Sequence, residues 1–215
     1  MQLDACPGWE YEDVPDYRTV LVPRVKERAQ ALRSGNRSAT DCAADSRIDH
    51  GLLYHGLTPE HCDYYAGNYR GSGHKCLREY QVGVAGDPRV GLSPHHVADA
   101  MGSFSKEIRA GLDRIDAASK LPKAQFSDED QLINLVRFTC HVFEYFLRVH
   151  PYANGNGHTA RLILWAILGR HGYWPVRFTI EPRPADQRYG PAIISYRNGD
   201  YEPLETIVLS YLLEP

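Results

Sequence analysis

The spacing of apolar residues predicts a chain of helices interrupted by one glycine-rich stretch. In Val20–Arg33, Val22, Val25, Ala29 and Leu32 fall near one face, and Gly35 can close the helix in a left-handed conformation. A short helical pattern follows over Asp45–Tyr54, and Thr58 before Pro59 and Glu60 has the composition of a helix start. Between Gly67 and Pro94 the period changes. Glycines cluster there, and Tyr80, Val82 and Val84 alternate, which predicts one small β-hairpin among loops. Helical periodicity resumes over His95–Leu112 and breaks around Pro122. Ser127–Val149 is the clearest helix, with Ser127 and Asp130 spaced as a capping box and apolar positions over most of its surface. Thr159–Arg170 is a second strongly apolar helix, stopped by Gly172 and Pro175. Two more, about Ala185–Arg197 and Pro203–Leu213, are separated by Asn198-Gly199-Asp200. The expected class is mostly α, a helical bundle with a small hairpin.

Composition narrows the function classes. The chain has 215 residues, 43% of them hydrophobic, and a net charge of −3. That describes a globular protein with a core and no overall basic field for nucleic acid. The longest fully apolar run, Leu162–Leu168, is far short of the roughly 20 residues that span a bilayer. The N-terminus has no basic region followed by an apolar one, so no secretory signal is visible. Cys6, Cys42, Cys62, Cys76 and Cys140 are odd in number and lack paired ligand spacing. The expectation is reduced thiols in a cytoplasmic protein.

The chemistry concentrates between His150 and Arg161, in the segment HPYANGNGHTAR. Pro151 ends the preceding helix and leaves His150 at its C-terminus beside a loop. Gly155 and Gly157 let backbone N–H groups approach a ligand closely, and the helix that starts there favours an anion. Arg161 lies about one turn into it, with a fork suited to phosphate. Taken singly, each feature has a plain structural explanation: a cap, a turn, a solvated arginine. Together they suit phosphoryl-type chemistry, in which a base takes a hydroxyl proton and fixed donors hold the charge on phosphate. The other histidines are scattered. No H-E-x-x-H, C-x-x-C or lysine-bearing phosphate loop is present, which leaves metal hydrolase and P-loop readings without support.

The segment resembles the signature of the Fic family, HPFx(D/E)GNGRxxR. His150, Pro151, Gly155, Asn156, Gly157 and Arg161 agree, and Tyr152 replaces phenylalanine. With the later Gly199–Leu204 stretch the resemblance covers roughly residues 52–215, leaving 1–51 as an N-terminal helical segment. It implies a helical enzyme that transfers AMP from ATP to a Ser, Thr or Tyr hydroxyl of a target protein. His150 would be the base, with Asn156 and Arg161 as its catalytic companions. Asn154, Gly155, Asn156, Gly157, His158 and Arg161 would hold the phosphates, and Tyr189 would meet the adenine. Arg78, Glu79, Tyr80, Gln81 and Val82 would form the flap that docks the target as an added strand.

Two positions depart from the family pattern. Asn154 stands where the family has the acidic residue that holds Mg²⁺, so the resemblance implies a weakly held metal with Asn154 as its ligand. His158 replaces an arginine. These changes leave open a catalytically silent protein that binds a nucleotide or a partner, or transfer of another phosphate-linked group. Removal of AMP from a target would need an acidic residue to orient water, and the loop has none. The family's inhibitory helix, (S/T)xxxE(G/N), has a degraded counterpart in Asp45–His50 with Asp49 in place of glutamate, although an ordinary surface helix is the plainer reading. Expected partners are a target protein with an exposed hydroxyl and, beyond it, a small antitoxin or a second copy; neither nucleic acid nor membrane is expected.

Overall fold

The computed structural model describes residues 6–175 and 177–213. Its helices run α1 (Tyr17–Arg33), α2 (Ala39–Ala44), α3 (Arg47–Tyr54), α4 (Pro94–Ala118), α5 (Asp128–Val149), α6 (Asn156–Arg170), α7 (Tyr189–Arg197) and α8 (Glu202–Leu213). The protein is mostly helical, as the periodicity predicts. The centre of the bundle is α6, buried on every side from His158 to Gly169. It packs against α5, α2 and α1, while α4 and α8 cover α5. An all-round apolar sequence can be stable as a helix only in such a place. The α5 start carries both bonds of its capping box, Asp130 N–H to Ser127 Oγ and Ser127 N–H to Asp130 Oδ2, each 3.1 Å.

Three boundaries differ from the sequence expectation. Thr58 starts no helix: its hydroxyl donates to Asp63 instead, and His61 turns the chain with φ of 63°. Helix α6 begins at Asn156, three residues earlier than its apolar pattern suggests, and α7 begins at Tyr189, after Asp186 accepts from the Arg188 N–H in a local turn. The predicted hairpin does not form a ladder among the described residues. It is reduced to an isolated antiparallel bridge, Val84 with Asp87. The reason is that Tyr80 is committed elsewhere and Val82 is crowded. The Tyr80 carbonyl accepts from Arg70 and its hydroxyl from Trp9 N–H, and the Val82 carbonyl occupies the space that a side chain on Gly91 would need.

The cysteines also correct the expectation. Cys6 and Cys76, 70 positions apart, form a disulfide, whereas Cys42, Cys62 and Cys140 are buried thiols. Sequence spacing could not reveal a pair brought together only by folding. Disulfides persist in oxidising surroundings, so the cysteines no longer argue for the cytoplasm. No helix among the described residues is long and apolar enough to cross a membrane.

Candidate active site

The α5–α6 loop is held rigidly, and the residues that hold it come from far along the chain. Its chain reversal depends on two left-handed residues, His150 (φ 51°) and Gly155 (φ 77°). Gly155 is irreplaceable for a second reason: a Cβ there would sit 2.3 Å from the Tyr54 ring. Helix α3 buttresses the loop from behind. Ser46 Oγ meets the Tyr152 hydroxyl at 2.9 Å, the His50 ring stacks on Tyr152 with centroids 3.6 Å apart, and His50 Nε2 donates to the Asn154 carbonyl at 3.0 Å. On the other side stands Arg70, a fully buried arginine that sequence reasoning missed. Its guanidinium donates to the carbonyls of His150, Tyr80, Leu92 and Val149, and its own N–H to the Pro151 carbonyl. No carboxylate pairs with it in that set; the acceptors include the last carbonyls of α5, where the helix dipole is negative. Burial pulls its pKa down to about 10, so it stays charged at neutral pH.

His150 lines a cavity of about 440 Å³ with Leu147, Gly157, Arg161, Arg183 and Tyr189, within the range of small-ligand sites. Its Nδ1–H donates to the Leu147 carbonyl at 2.8 Å, which fixes the tautomer and leaves the lone pair on Nε2. Burial, with lesser contributions from the Arg70 and Arg197 charges, lowers its pKa and keeps the ring neutral. Arg161 is anchored through Nε to the Ile180 carbonyl at 2.8 Å, and its Nη1 end lies beside Gly157 in the first turn of α6. Tyr189, at the start of α7, lies beneath Arg183, whose guanidinium carbon is 5.2 Å from the ring centroid. The walls are otherwise apolar, including Val84, Pro191 and Ile194. Arg197 also borders the cavity, but it is bonded at 2.7 Å to both Glu144 and Asp87. A second cavity, of about 370 Å³ beside Phe126, Gln131 and His171, lies near the far end of α6 and includes none of the loop residues.

Of the residues singled out by sequence, His150, Gly157, Arg161 and Tyr189 come together around the cavity. Others face elsewhere. Asn156 is a staple: Oδ1 accepts from Tyr152 N–H and Nδ2 donates to the Tyr152 carbonyl, both at 2.9 Å. His158 is turned away into a buried cluster, its Nδ1 accepting from the Tyr54 hydroxyl at 2.8 Å and its Nε2 donating to Glu181 at 2.6 Å. Both nitrogens are engaged, which removes it from the phosphate-binding set. Asp49 is buried and bound twice by Arg37, with a closest approach of 2.7 Å, rather than reaching Arg161; α3 is a buttress, not an inhibitory helix. The flap residues Arg78, Glu79 and Gln81 are exposed, Tyr80 and Val82 are half-buried, and the segment leads to Val84 at the cavity rim.

Asn154, the candidate metal ligand, is engaged within the protein. Its Oδ1 takes the Gly155 N–H at 2.6 Å, and its Nδ2 donates at 2.8 Å to the Trp9 carbonyl and the Glu10 carboxylate. The side chain thus points to the N-terminal segment. Among the described residues no group of three His, Cys, Asp or Glu side chains could hold a metal.

A neutral histidine, a helix N-terminus and an arginine border one cavity of a helical protein, an arrangement that can hold an anion next to a proton acceptor. The more particular assignment comes from comparison. The model of the Fic/DOC family matches residues 90–168, which run from just before α4 to near the end of α6, so the chain carries a Fic-type domain. No curated protein matches the chain.

Proposed function

We propose that the protein is a Fic-type transferase that moves AMP from ATP onto a Ser, Thr or Tyr hydroxyl of a target protein. His150 Nε2 takes the hydroxyl proton as the oxygen attacks the α-phosphorus, the bond to the β-phosphate oxygen breaks, and pyrophosphate leaves. The first-turn N–H groups of α6 and Arg161 hold the phosphate charge as it develops. The apolar wall beside Tyr189 receives the base of the nucleotide. The target segment lies along residues 78–84, which present the exposed side chains of Arg78, Glu79 and Gln81 and end at Val84 on the cavity rim.

The observation that carries this reading is the fixed tautomer of His150, because a protein that merely binds a nucleotide gains nothing from a neutral, aimed imidazole. The engagement of His158 by Glu181 favours a second reading, in which the fold binds a nucleotide or partner without transfer. Incubation with cell lysate and ATP labelled at the α- or the γ-phosphate separates them. Protein label from the α position alone, abolished by His150→Ala, is the expected result. Label from the γ position would replace AMP transfer with phosphate transfer, and nucleotide binding with no label from either position would favour the binding protein.

A further inference from the structure

A polyphosphate entering a half-buried cavity needs positive charge to replace lost hydration. In this cavity that charge comes from side chains. No carboxylate is among the described residues that line it, and the Asn154–Glu10 pair, the nearest thing to a metal-binding set in the loop, faces the N-terminal segment instead. Arg197 is already neutralised by Glu144 and Asp87. Two cationic side chains remain. Arg161 reaches the cavity from α6, steered by the Ile180 carbonyl. Arg183 reaches it from the segment before α7, lying over the Tyr189 ring with Nη2 close to Gly190.

We propose that Arg161 and Arg183 together bind the phosphates of the donor in place of a divalent cation, so that donor binding at this site is independent of metal. This rests on the nucleotide-donor reading above. Guanidinium forks make paired, charge-assisted bonds to phosphate oxygens and need no ordered water shell to do so. Arg183 has the further advantage of being exposed, so its guanidinium is open to an incoming donor. The ring beneath it limits its freedom, which reduces the entropy lost on binding.

The test is calorimetric titration of ATP, AMP and inorganic pyrophosphate into the wild-type protein, Arg183→Ala and Arg183→Lys, each with EDTA and again with Mg²⁺. Because Arg183 is exposed, these variants keep the fold, which thermal melting checks. Wild-type affinity for ATP is expected to be the same with EDTA as with Mg²⁺ to within about twofold, and Arg183→Ala to weaken it at least about tenfold in both. Lysine, which keeps the charge but loses the fork, falls between. ATP binding that requires Mg²⁺, or that is indifferent to Arg183→Ala, overturns the inference and leaves the nucleotide reading standing. Pyrophosphate binding through Arg183 in EDTA without binding of either nucleotide supports the arginine pair and removes the nucleotide donor. No binding of any of the three overturns both.

Discussion

At the scale of single residues, the candidate site has its protons and charges fixed by the fold itself. His150 is held neutral by burial and by two nearby arginines, so its pKa lies below the ordinary histidine value. A base with a depressed pKa remains competent as pH falls. The acidic limb of a transfer-rate profile is therefore expected below pH of about 6.5, and a limb above that value would mean the ring is not shielded as described. Arg70 presents opposed effects. Burying its charge is costly, but the charge is spread over four carbonyls, two of them at the end of α5. Arg70→Met would remove the buried charge and orphan those acceptors together. With each orphan costing about 1–3 kcal/mol, the orphans outweigh the relief, and a loss of about 3–5 kcal/mol in urea unfolding is expected. Asn154 shows why a family pattern cannot be restored by one substitution. Asn154→Asp would replace two donated hydrogen bonds with a carboxylate facing the Glu10 carboxylate. It is expected to destabilise the protein by about 1–2 kcal/mol and to leave nucleotide affinity without a new Mg²⁺ dependence, read from paired melts and titrations.

At the scale of elements, α5, the loop and α6 form one unit whose strain is concentrated at two left-handed residues. At Gly155 any side chain meets both an unfavourable φ and the Tyr54 ring. Gly155→Ala is expected to cost about 2–4 kcal/mol, the sum of the backbone and overpacking penalties, and to separate α3 from the loop. Circular dichroism melts measure the loss, and a change under 1 kcal/mol, on the order of the helix-propensity gain of alanine over glycine, would contradict the packing described. Helix α3 has a role its sequence does not announce. Ser46 at its N-cap and its own polar residues Asp49, His50 and Tyr54 are buried because they serve the loop and Arg37, not because they meet a substrate.

For the whole molecule, the long irregular stretch between α3 and α4 is stable because Arg70 and the Cys6–Cys76 bridge tie it to α5 and to the N-terminal segment. A bridge across 70 positions restricts the unfolded chain strongly. Reduction, or Cys76→Ser, is expected to lower unfolding free energy by up to about 4 kcal/mol, seen as a lower urea midpoint with reductant present. Acid acts on a separate set of groups. Burial lowers the pKa of His50 to about 3 and depresses those of His150, His158 and His171. In the unfolded chain these rings take protons near pH 6.5, whereas in the folded protein they resist. Stability from the neutral rings is thus complete above pH 6.5 and is lost progressively as pH falls through the window down to their folded values. Urea midpoints should begin to fall between about pH 6.5 and 5, before the carboxylates take part; a flat profile to pH 4.5 would show that the rings are not buried and neutral.

The sequence by itself determined the helices and the position of the candidate site. Apolar periodicity is a local property, so α1, α4, α5 and α6 follow from it, and Ser127 and Asp130 mark the start of α5 because capping acts over three residues. The loop was legible for the same reason: His150, Pro151, Gly155, Gly157 and Arg161 form their geometry within twelve positions. Only the tertiary structure decided which polar groups face the cavity. Asn154, Asn156 and His158 match or adjoin the motif, yet each turns to a partner distant or local that satisfies it better than solvent does. Arg70, Arg183 and Arg197 carry no sequence signal, because an arginine's role depends on what surrounds it. The hairpin failed for the same physical reason: alternation sets which way side chains point, but a strand needs a free neighbour to pair with, and the Tyr80 carbonyl was already taken by Arg70.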